Sequence, residues 1–340
     1  MKTMQNEIIG EIQTQTIQEI LQHLVNHLII NGSLLNLHGL HYGKMGIALF
    51  FFHYSRYTCN PLFNEFGLYL ISLVKPHLNE DLSLDYEKGL AGIGTGFEYL
   101  AQQNFLQKDK DLMSDIDNRI INAISYEVKF KILNGFGRYL LLRNNGNLKK
   151  EKSQSIAIKK ALIAIVDKLI TNYKNNDILS DSITLLYNIF LSGFEERRLK
   201  HFFFEIEPEL IKEINEKPFS QNLFSLIDIS QVSSNPKSHT TSLFALDYIF
   251  EQPDCEFYGI KEFLWLLQCE KRIVENGGYE SIIPNVRTKI NKVAGFYNLI
   301  YLDKMFENNM AFSLQGGYAG FALAFLSKIS VNDASWINLL

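Results

Sequence analysis

Four glycine pairs and three cysteines are the residues of this chain whose type and spacing raise the first chemical questions. The pairs are Gly43-Lys44-Met45-Gly46, Gly89-Leu90-Ala91-Gly92, Asn134-Gly135-Phe136-Gly137 and Gly317-Tyr318-Ala319-Gly320. A glycine turn ahead of a helix can cradle a phosphate with its backbone N–H groups. None of the four carries the Lys-Ser/Thr ending of a P-loop, and none follows a clear strand as a dinucleotide-binding turn does. Packing and turn geometry is the plainer reading, because glycine supplies positive φ and lets neighbouring backbones approach closely. Cys59, Cys255 and Cys269 are too few and too scattered for a disulfide framework and suggest a reducing compartment. A metal site drawing on Cys255, Cys269, His201 and His239 has no supporting ligand spacing, and buried cysteines often act as small hydrophobes.

The glycine pairs also organise the chain. Each stands just before an apolar run: Ile47 to Phe52, Phe97 to Leu100, Arg138 to Leu142 and Phe321 to Leu326. The first three repeats start at 43, 89 and 132, and the last at 317. From 132 to 317 there is room for about four more strides of about 46 residues, so the period implies seven units with the middle three eroded. Between the turns lie helical patterns. Ile17, Ile20, Leu21, Leu24, Val25 and Leu28 follow three- and four-residue spacing, as do Ile158, Ala161, Leu162, Ile165, Val166 and Leu169. Strand signals are sparse, and a run such as 200–206 is ambiguous between strand and helix. Each unit therefore reads as two helices, one opened by the glycine turn and one returning. The polar stretches 144–155 and 230–241 read as surface connections within one array spanning residues 1–340.

Composition sets outer limits. Of 340 residues, 46% are hydrophobic and 21% charged, an ordinary balance with ample material for a core. Seven prolines suit a mainly helical chain, and a net charge of -4 gives no electrostatic case for nucleic acid or an anionic membrane. No run of about 18 apolar residues could span a bilayer. No signal peptide is evident, which makes the cytoplasm the expected location.

The repeats resemble a known family. Leu40 to Ala48, Gly89 to Gly94 and Asn134 to Leu141 are similar to repeats of the lanthionine synthetase C-like (LanC) proteins, and Gly316 to Phe321 looks like their closing repeat. Residues 38–106 especially resemble LanC-like proteins from Bacteroides-type bacteria. The resemblance is clear over 38–143 and 290–327, and between them it rests on spacing. It implies an all-α fold, an (α/α)7 toroid of seven inner and seven outer helices. It also implies work on a ribosomally made precursor peptide, where LanC cyclases add a cysteine thiol to dehydroalanine or dehydrobutyrine. A dehydratase or other peptide-modifying enzyme would be a natural partner.

Well-known members hold zinc with two cysteines and a histidine, and coordination presents a thiolate at neutral pH. Those motifs are missing here. The segment most like the late Cys-His repeat is 290–297, where Ile290 and Asn291 stand at the ligand positions. The expected metal ligands are therefore none. Chemistry without zinc would need a base for the thiol and an acid for the enolate. His41 lies two residues before Gly43, Asp85 four before Gly89, and Glu127 resembles the acid before the third repeat if one extra residue is allowed. Each has a structural alternative: His38 and His41 as partners of turn backbone, Asp85 as a helix cap, Glu127 as a solvated helix residue. Arg138 could bind a peptide carboxylate or pair with an acid on a neighbouring helix. Gly43, Gly46, Gly89, Gly92, Gly135, Gly317 and Gly320 are the structural turns. If these turns start the inner helices, their N-termini at one mouth of the toroid would favour a thiolate, an enolate or an acidic leader peptide.

Three functions compete: a precursor-binding or scaffold relative that has lost the zinc chemistry, a zinc-free cyclase, and, more remotely, a helical toroid enzyme acting on glycosides with paired carboxylates. The first is the leading expectation.

Overall fold

Helix capping and apolar stripes account for most of the architecture. The computed structural model describes residues 2–340 apart from 80–81, 108, 127, 147–151, 173–179, 219, 221, 258, 298–311, 316 and 330–334. The described residues contain helices and no strand. They are α1 (Lys2–Gly32), α2 (Lys44–Thr58), α3 (Pro61–Val74), α4 (Leu90–Gln102), α5 (Lys110–Ile124), α6 (Phe130–Asn145) and α7 (Lys152–Thr171). There follow α8 (Ser180–Leu191), α9 (Glu196–Glu216), α10 (Leu223–Ser233), α11 (Pro236–Glu251), α12 (Ile260–Asn276), α13 (Ile283–Phe296) and α14 (Tyr318–Ile329). The run 200–206 thus lies within α9.

Two kinds of helix alternate. In α2, residues 44–55 are all buried, and α4, α10 and α14 are likewise buried around most of their length. The helices that follow present one apolar stripe. In α7 the buried face is Ile158, Ala161, Leu162, Ile165, Val166 and Leu169, the six positions that the spacing picks out. In α3 it is Gly67, Leu70, Ile71 and Val74, and in α11 it runs from Ser238 to Phe250.

The corners between the two kinds repeat. Cys59-Asn60-Pro61 ends α2 and starts α3: Cys59 takes a left-handed conformation, the Asn60 side chain accepts from the Leu62 N–H at 3.1 Å, and Pro61 fills the first helical position. Ser234-Asn235-Pro236 does the same between α10 and α11, with Asn235 accepting from Lys237 N–H at 3.1 Å. Among the described residues the left-handed positions other than glycine are Cys59, Asn104, Glu195 and Ser234, in the corners after α2, α4, α8 and α10. Glycines continue the series after α12, where Gly277 and Gly278 have φ of 66° and 74°. The intervals are 45, 91, 39 and 43 residues from Cys59 through to Gly277, so the backbone keeps the period through the stretch where the motif fades.

The structure corrects two local expectations. Gly135 does not open a helix: α6 begins at Phe130, and Gly135 and Gly137 lie inside it. A methyl group on Gly137 would overlap the Leu185 side chain, so Gly137 serves close packing against α8. The polar stretch 230–241 is not a loop either, because α10 continues to Ser233 and α11 starts at Pro236.

The chain packs as two compact units. The first comprises Met1–Gly96, Asp254–Leu267 and Ile290–Leu340. In it α2 packs against α3, α1 and α14, and α1 packs against α14. Its core includes Phe50, Phe51 and Phe52, all fully buried, and a second aromatic cluster of Phe263, Tyr297, Phe321 and Phe325. Each such side chain contributes roughly 2–3 kcal/mol. The second unit comprises Phe97–Pro253 and Gln268–Lys289. There α6 packs on α7 and α8, α5 on α7, α9 on α10 and α11, and α10 on α8 and α11. No helix among the described residues is long and apolar enough to cross a membrane.

Candidate functional site

In the first unit, three of the four glycine pairs build one backbone arrangement three times. Gly43, Gly89 and Gly317 precede α2, α4 and α14, and their carbonyls accept from the N–H of Ile47, Ile93 and Phe321 at 3.4, 3.1 and 3.0 Å. The second glycine of each pair sits against a carbonyl six residues back: Gly46 on Leu40, Gly92 on Tyr86, Gly320 on Leu314. A Cβ at any of them would overlap that oxygen, so the close approach requires glycine.

The loops leading into these turns are hydrogen-bonded to one another. The His41 N–H donates to the Glu87 carbonyl at 2.9 Å, while the His41 carbonyl accepts from Leu314 N–H at 2.8 Å and Gln315 N–H at 3.3 Å. The first repeat therefore lies between the second and the last. The Tyr42 hydroxyl adds a bond to Gln315 Oε1 at 3.1 Å, and Lys88 Nζ lies 5.5 Å from the centre of the Tyr42 ring.

His41 is buried, 3% exposed, with its ring edge-on to Tyr86 at 5.2 Å. Its Nε2 lies 2.9 Å from the Leu339 carbonyl. That oxygen can only accept, so Nε2 carries the proton and Nδ1 is the basic nitrogen of the neutral ring. The Tyr86 hydroxyl donates to the same carbonyl at 3.2 Å. His38 stacks on His77 with ring centres 3.9 Å apart.

Asp85 stands in the adjoining loop and is engaged within its own turn. Its Oδ2 accepts from the Ser83 hydroxyl at 2.6 Å and its Oδ1 from the Lys88 N–H at 2.7 Å. The loop bond from His41 to Glu87 brings His41 beside this segment, with the Asp85 carboxylate committed to the turn ahead of α4. Glu127 lies outside the described residues. Arg138, on α6, has its guanidinium 3.8 Å from Asp181 at the start of α8, the neighbouring-helix acid.

Two buried polar clusters in the second unit escaped the sequence reading. Arg143, 2% exposed, donates from Nη1 to Glu98 Oε2 at 2.9 Å, and from Nε and Nη2 to Asp117 Oδ1 and Oδ2 at 2.9 and 2.5 Å. Tyr139 donates to Asp117 Oδ1 at 2.6 Å, Gln154 to Asp117 Oδ2 at 2.5 Å, and Gln102 to Glu98 Oε1 at 3.0 Å. Burial, with Asp117 beside it, holds the Tyr139 hydroxyl protonated well above its ordinary range. Burial opposes the Arg143 charge, but the bonds and charges of Asp117, Tyr139 and Glu98 outweigh it and raise its proton affinity. The available signal was helical spacing: Glu98 with Gln102, and Tyr139 with Arg143, each four residues apart.

In the other cluster, burial raises the Asp228 carboxyl to about 6, against the pull of Arg272 Nη1 at 3.4 Å and the Asn276 amide at 3.1 Å. Burial likewise pushes the Tyr187 hydroxyl, bonded to Asn276 at 3.2 Å, up to about 12. Arg272 also lies over Phe224, 4.6 Å from its ring centre. Because the folded Asp228 holds its proton more tightly than the usual 3.8, it contributes stability present below pH 4 and lost as pH rises through 6. That amounts to roughly 3 kcal/mol. Asp228→Asn is expected to remove this pH dependence from urea-unfolding midpoints taken between pH 4 and pH 7.

Of the candidate zinc ligands, Cys269, His201 and His239 have described side chains, and that of Cys255 lies outside the description. Cys59 is exposed at the end of α2, and burial pushes the Cys269 thiol up to about 12. Ile290 is fully buried in α13, Asn291 meets Lys328 Nζ at 3.5 Å, and His201 pairs with Glu205 on α9 at 3.6 Å. His239 packs on the Tyr279 ring at 4.7 Å. Among the described residues no three His, Cys, Asp or Glu side chains gather as a metal-binding group. Compared with known proteins, the chain matches no family model, and no curated protein sequence matches it.

Proposed function

We propose that this chain is a LanC-like helical ring that binds a ribosomally made precursor peptide on its glycine-turn face, without zinc-dependent thioether chemistry. In this reading the hairpins α2–α3, α4–α5, α6–α7, α8–α9, α10–α11 and α12–α13 form six units of an (α/α)7 toroid, and α14 pairs with α1 as the seventh. The observation that supports it is the glycine turn built three times in one geometry, with the last copy hydrogen-bonded to the first. The left-handed corners from Cys59 to Gly277 fit five strides of about 44 residues, the corner after α6 excepted. The protein acts as a peptide-holding scaffold for a partner such as a dehydratase. Catalysis ranks second because His41 Nε2 and both Asp85 oxygens already serve backbone and turn bonds.

The test uses a synthetic peptide carrying one cysteine and one dehydroalanine. Fluorescence anisotropy reads binding, and thiol alkylation reads ring closure. Saturable binding with thiol loss at the buffer rate is the expected result. Ring closure above that rate, abolished by His41→Ala, would establish the cyclase instead. No binding would overturn the peptide reading altogether.

A further inference from the structure

Phe224 and Asp228 on α10, and Arg272 and Asn276 on α12, are pairs four residues apart, so each pair shares one helix face. All four belong to the second unit, as does Tyr187 on α8. The Tyr187 hydroxyl donates to Asn276 Oδ1 at 3.2 Å, and the Asn276 amide donates to Asp228 Oδ1 at 3.1 Å. These bonds satisfy one oxygen of the Asp228 carboxyl and leave the other. Asp228 Oδ2 and Arg272 Nη1 stand 3.4 Å apart, both shut off from solvent, and among the described residues neither has a hydrogen-bond partner. The guanidinium lies over the Phe224 ring, 4.6 Å from its centre, and the Arg272 side chain is 22% exposed. A buried donor and acceptor left unmatched are costly in a folded chain unless a further group completes them.

We infer that Arg272 and Asp228 form a binding site for a carboxylate, which accepts from the Arg272 guanidinium and from the protonated Oδ2 of Asp228. Phe224 covers one face of the guanidinium, so the ligand meets its N–H edge, as bidentate carboxylate recognition requires. The contact that the ligand must part is an ion pair without a hydrogen bond, so opening it breaks none. Asp228 has to be protonated to receive an anion, because two ionised carboxylates repel each other. Its surroundings favour that state through burial, with Glu275 adding to it and Arg272 and Asn276 opposing it. Tyr187 from α8 and Tyr279 from the corner after α12 face it as well. From α9, Glu207 is taken by Ser233 and Ser238, and from α11, His239 packs on the Tyr279 ring. A full positive charge beside a carboxyl that holds its proton calls for an anion and not for a neutral amide. The site shares no residue with the glycine turns of the first unit, so it stands or falls separately from the peptide reading.

The test is calorimetric titration of the full chain with acetate, N-acetylglutamate α-amide and, as the neutral counterpart, N-acetylglutamine α-amide. At pH 5.5 the carboxylates should bind at one site per chain, and the glutamine compound about tenfold more weakly or worse. With Asp228 titrating at about 6, the wild type should bind carboxylates about twentyfold more weakly at pH 7.5, as the protonated fraction falls. Asp228→Asn keeps an oxygen for the Asn276 amide and places an NH2 group where Oδ2 stood. It should bind at pH 7.5 about twentyfold more tightly than the wild type, with a flat pH profile. Arg272→Gln should weaken binding about tenfold or more at pH 5.5, and thermal melting verifies that both variants fold. Tighter binding of the glutamate compound than of acetate assigns the site to an acidic peptide side chain, and the reverse assigns it to a free small acid; either supports the site. No carboxylate binding by the wild type at pH 5.5 overturns it. So does equal binding of the glutamine compound, undiminished binding by Arg272→Gln, or an unchanged pH profile in Asp228→Asn.

Discussion

Arg143→Met is expected to lower the unfolding free energy by about 3–5 kcal/mol, the cost of leaving buried carboxylates without their cation. Glu98 and Asp117 are both fully buried, and Arg143 is the cation that bonds to each. Removing it takes the Arg143 cation away from two carboxylates that solvent cannot reach. The comparison that isolates this cause is the triple variant Arg143→Met, Glu98→Leu, Asp117→Leu. Replacing a whole buried ionic group by apolar side chains is often near neutral, because the desolvation cost disappears with the attraction. The triple variant should therefore recover most of the loss. Tyr139→Phe, which removes only the donor to Asp117 at 2.6 Å, should cost about 1–2 kcal/mol. Urea denaturation midpoints read all three, and equal losses for the single and triple variants would rule out stranded charge as the cause.

Gly92→Ala is the second large effect, about 3 kcal/mol or more, at the upper end of overpacking costs. The added methyl would overlap the Tyr86 carbonyl, and a backbone oxygen cannot rotate away as a side-chain tip can. Relief requires moving the 83–89 loop, which holds His41 through Glu87 and bonds to α4 through Leu90 N–H to Ser83 O at 2.8 Å. Gly46→Ala and Gly320→Ala should behave alike, since they repeat the same approach. Gly295→Ala is the control: its Cβ would meet nothing within 4 Å, and alanine near the end of α13 should be neutral or stabilising by about 0.5 kcal/mol. Thermal melts of the four variants decide between a specific contact and a general intolerance of change at glycine.

These glycines also mark how much of the molecule the sequence makes visible. The starts of α2, α4 and α14 are legible because a glycine N-cap followed by apolar residues is a local signal. Gly135 and Gly137 carry the same letters but lie inside α6, Gly137 against α8, and nothing local separates a turn from a close helix crossing. The stripe of α7 is legible because one helix face determines its own burial. The corner after α10 was harder: Ser230 to Thr241 is polar and looks like a loop, although Asn235-Pro236 repeats the cap of Asn60-Pro61. Comparing those two dipeptides would have carried the period into the eroded middle. The charged cluster was beyond local reading. Glu98, Asp117 and Arg143 lie on three helices, and an acid on an amphipathic helix looks solvated until its partner is placed. For the site, His41 was locatable from its turn, but its bond to a carbonyl 298 residues away was not.

The central claim is that the glycine-turn face of the first unit receives a peptide, and photo-crosslinking tests it most directly. A cysteine–dehydroalanine peptide bearing a benzophenone is irradiated with the full chain, and the modified residues are mapped by mass spectrometry. The account predicts crosslinks confined to the loops at 38–42, 84–88 and 313–315, lost on competition with unlabelled peptide. Specific, competed crosslinks on the exposed faces of α7, α9 or α11, with none in those loops, would contradict it.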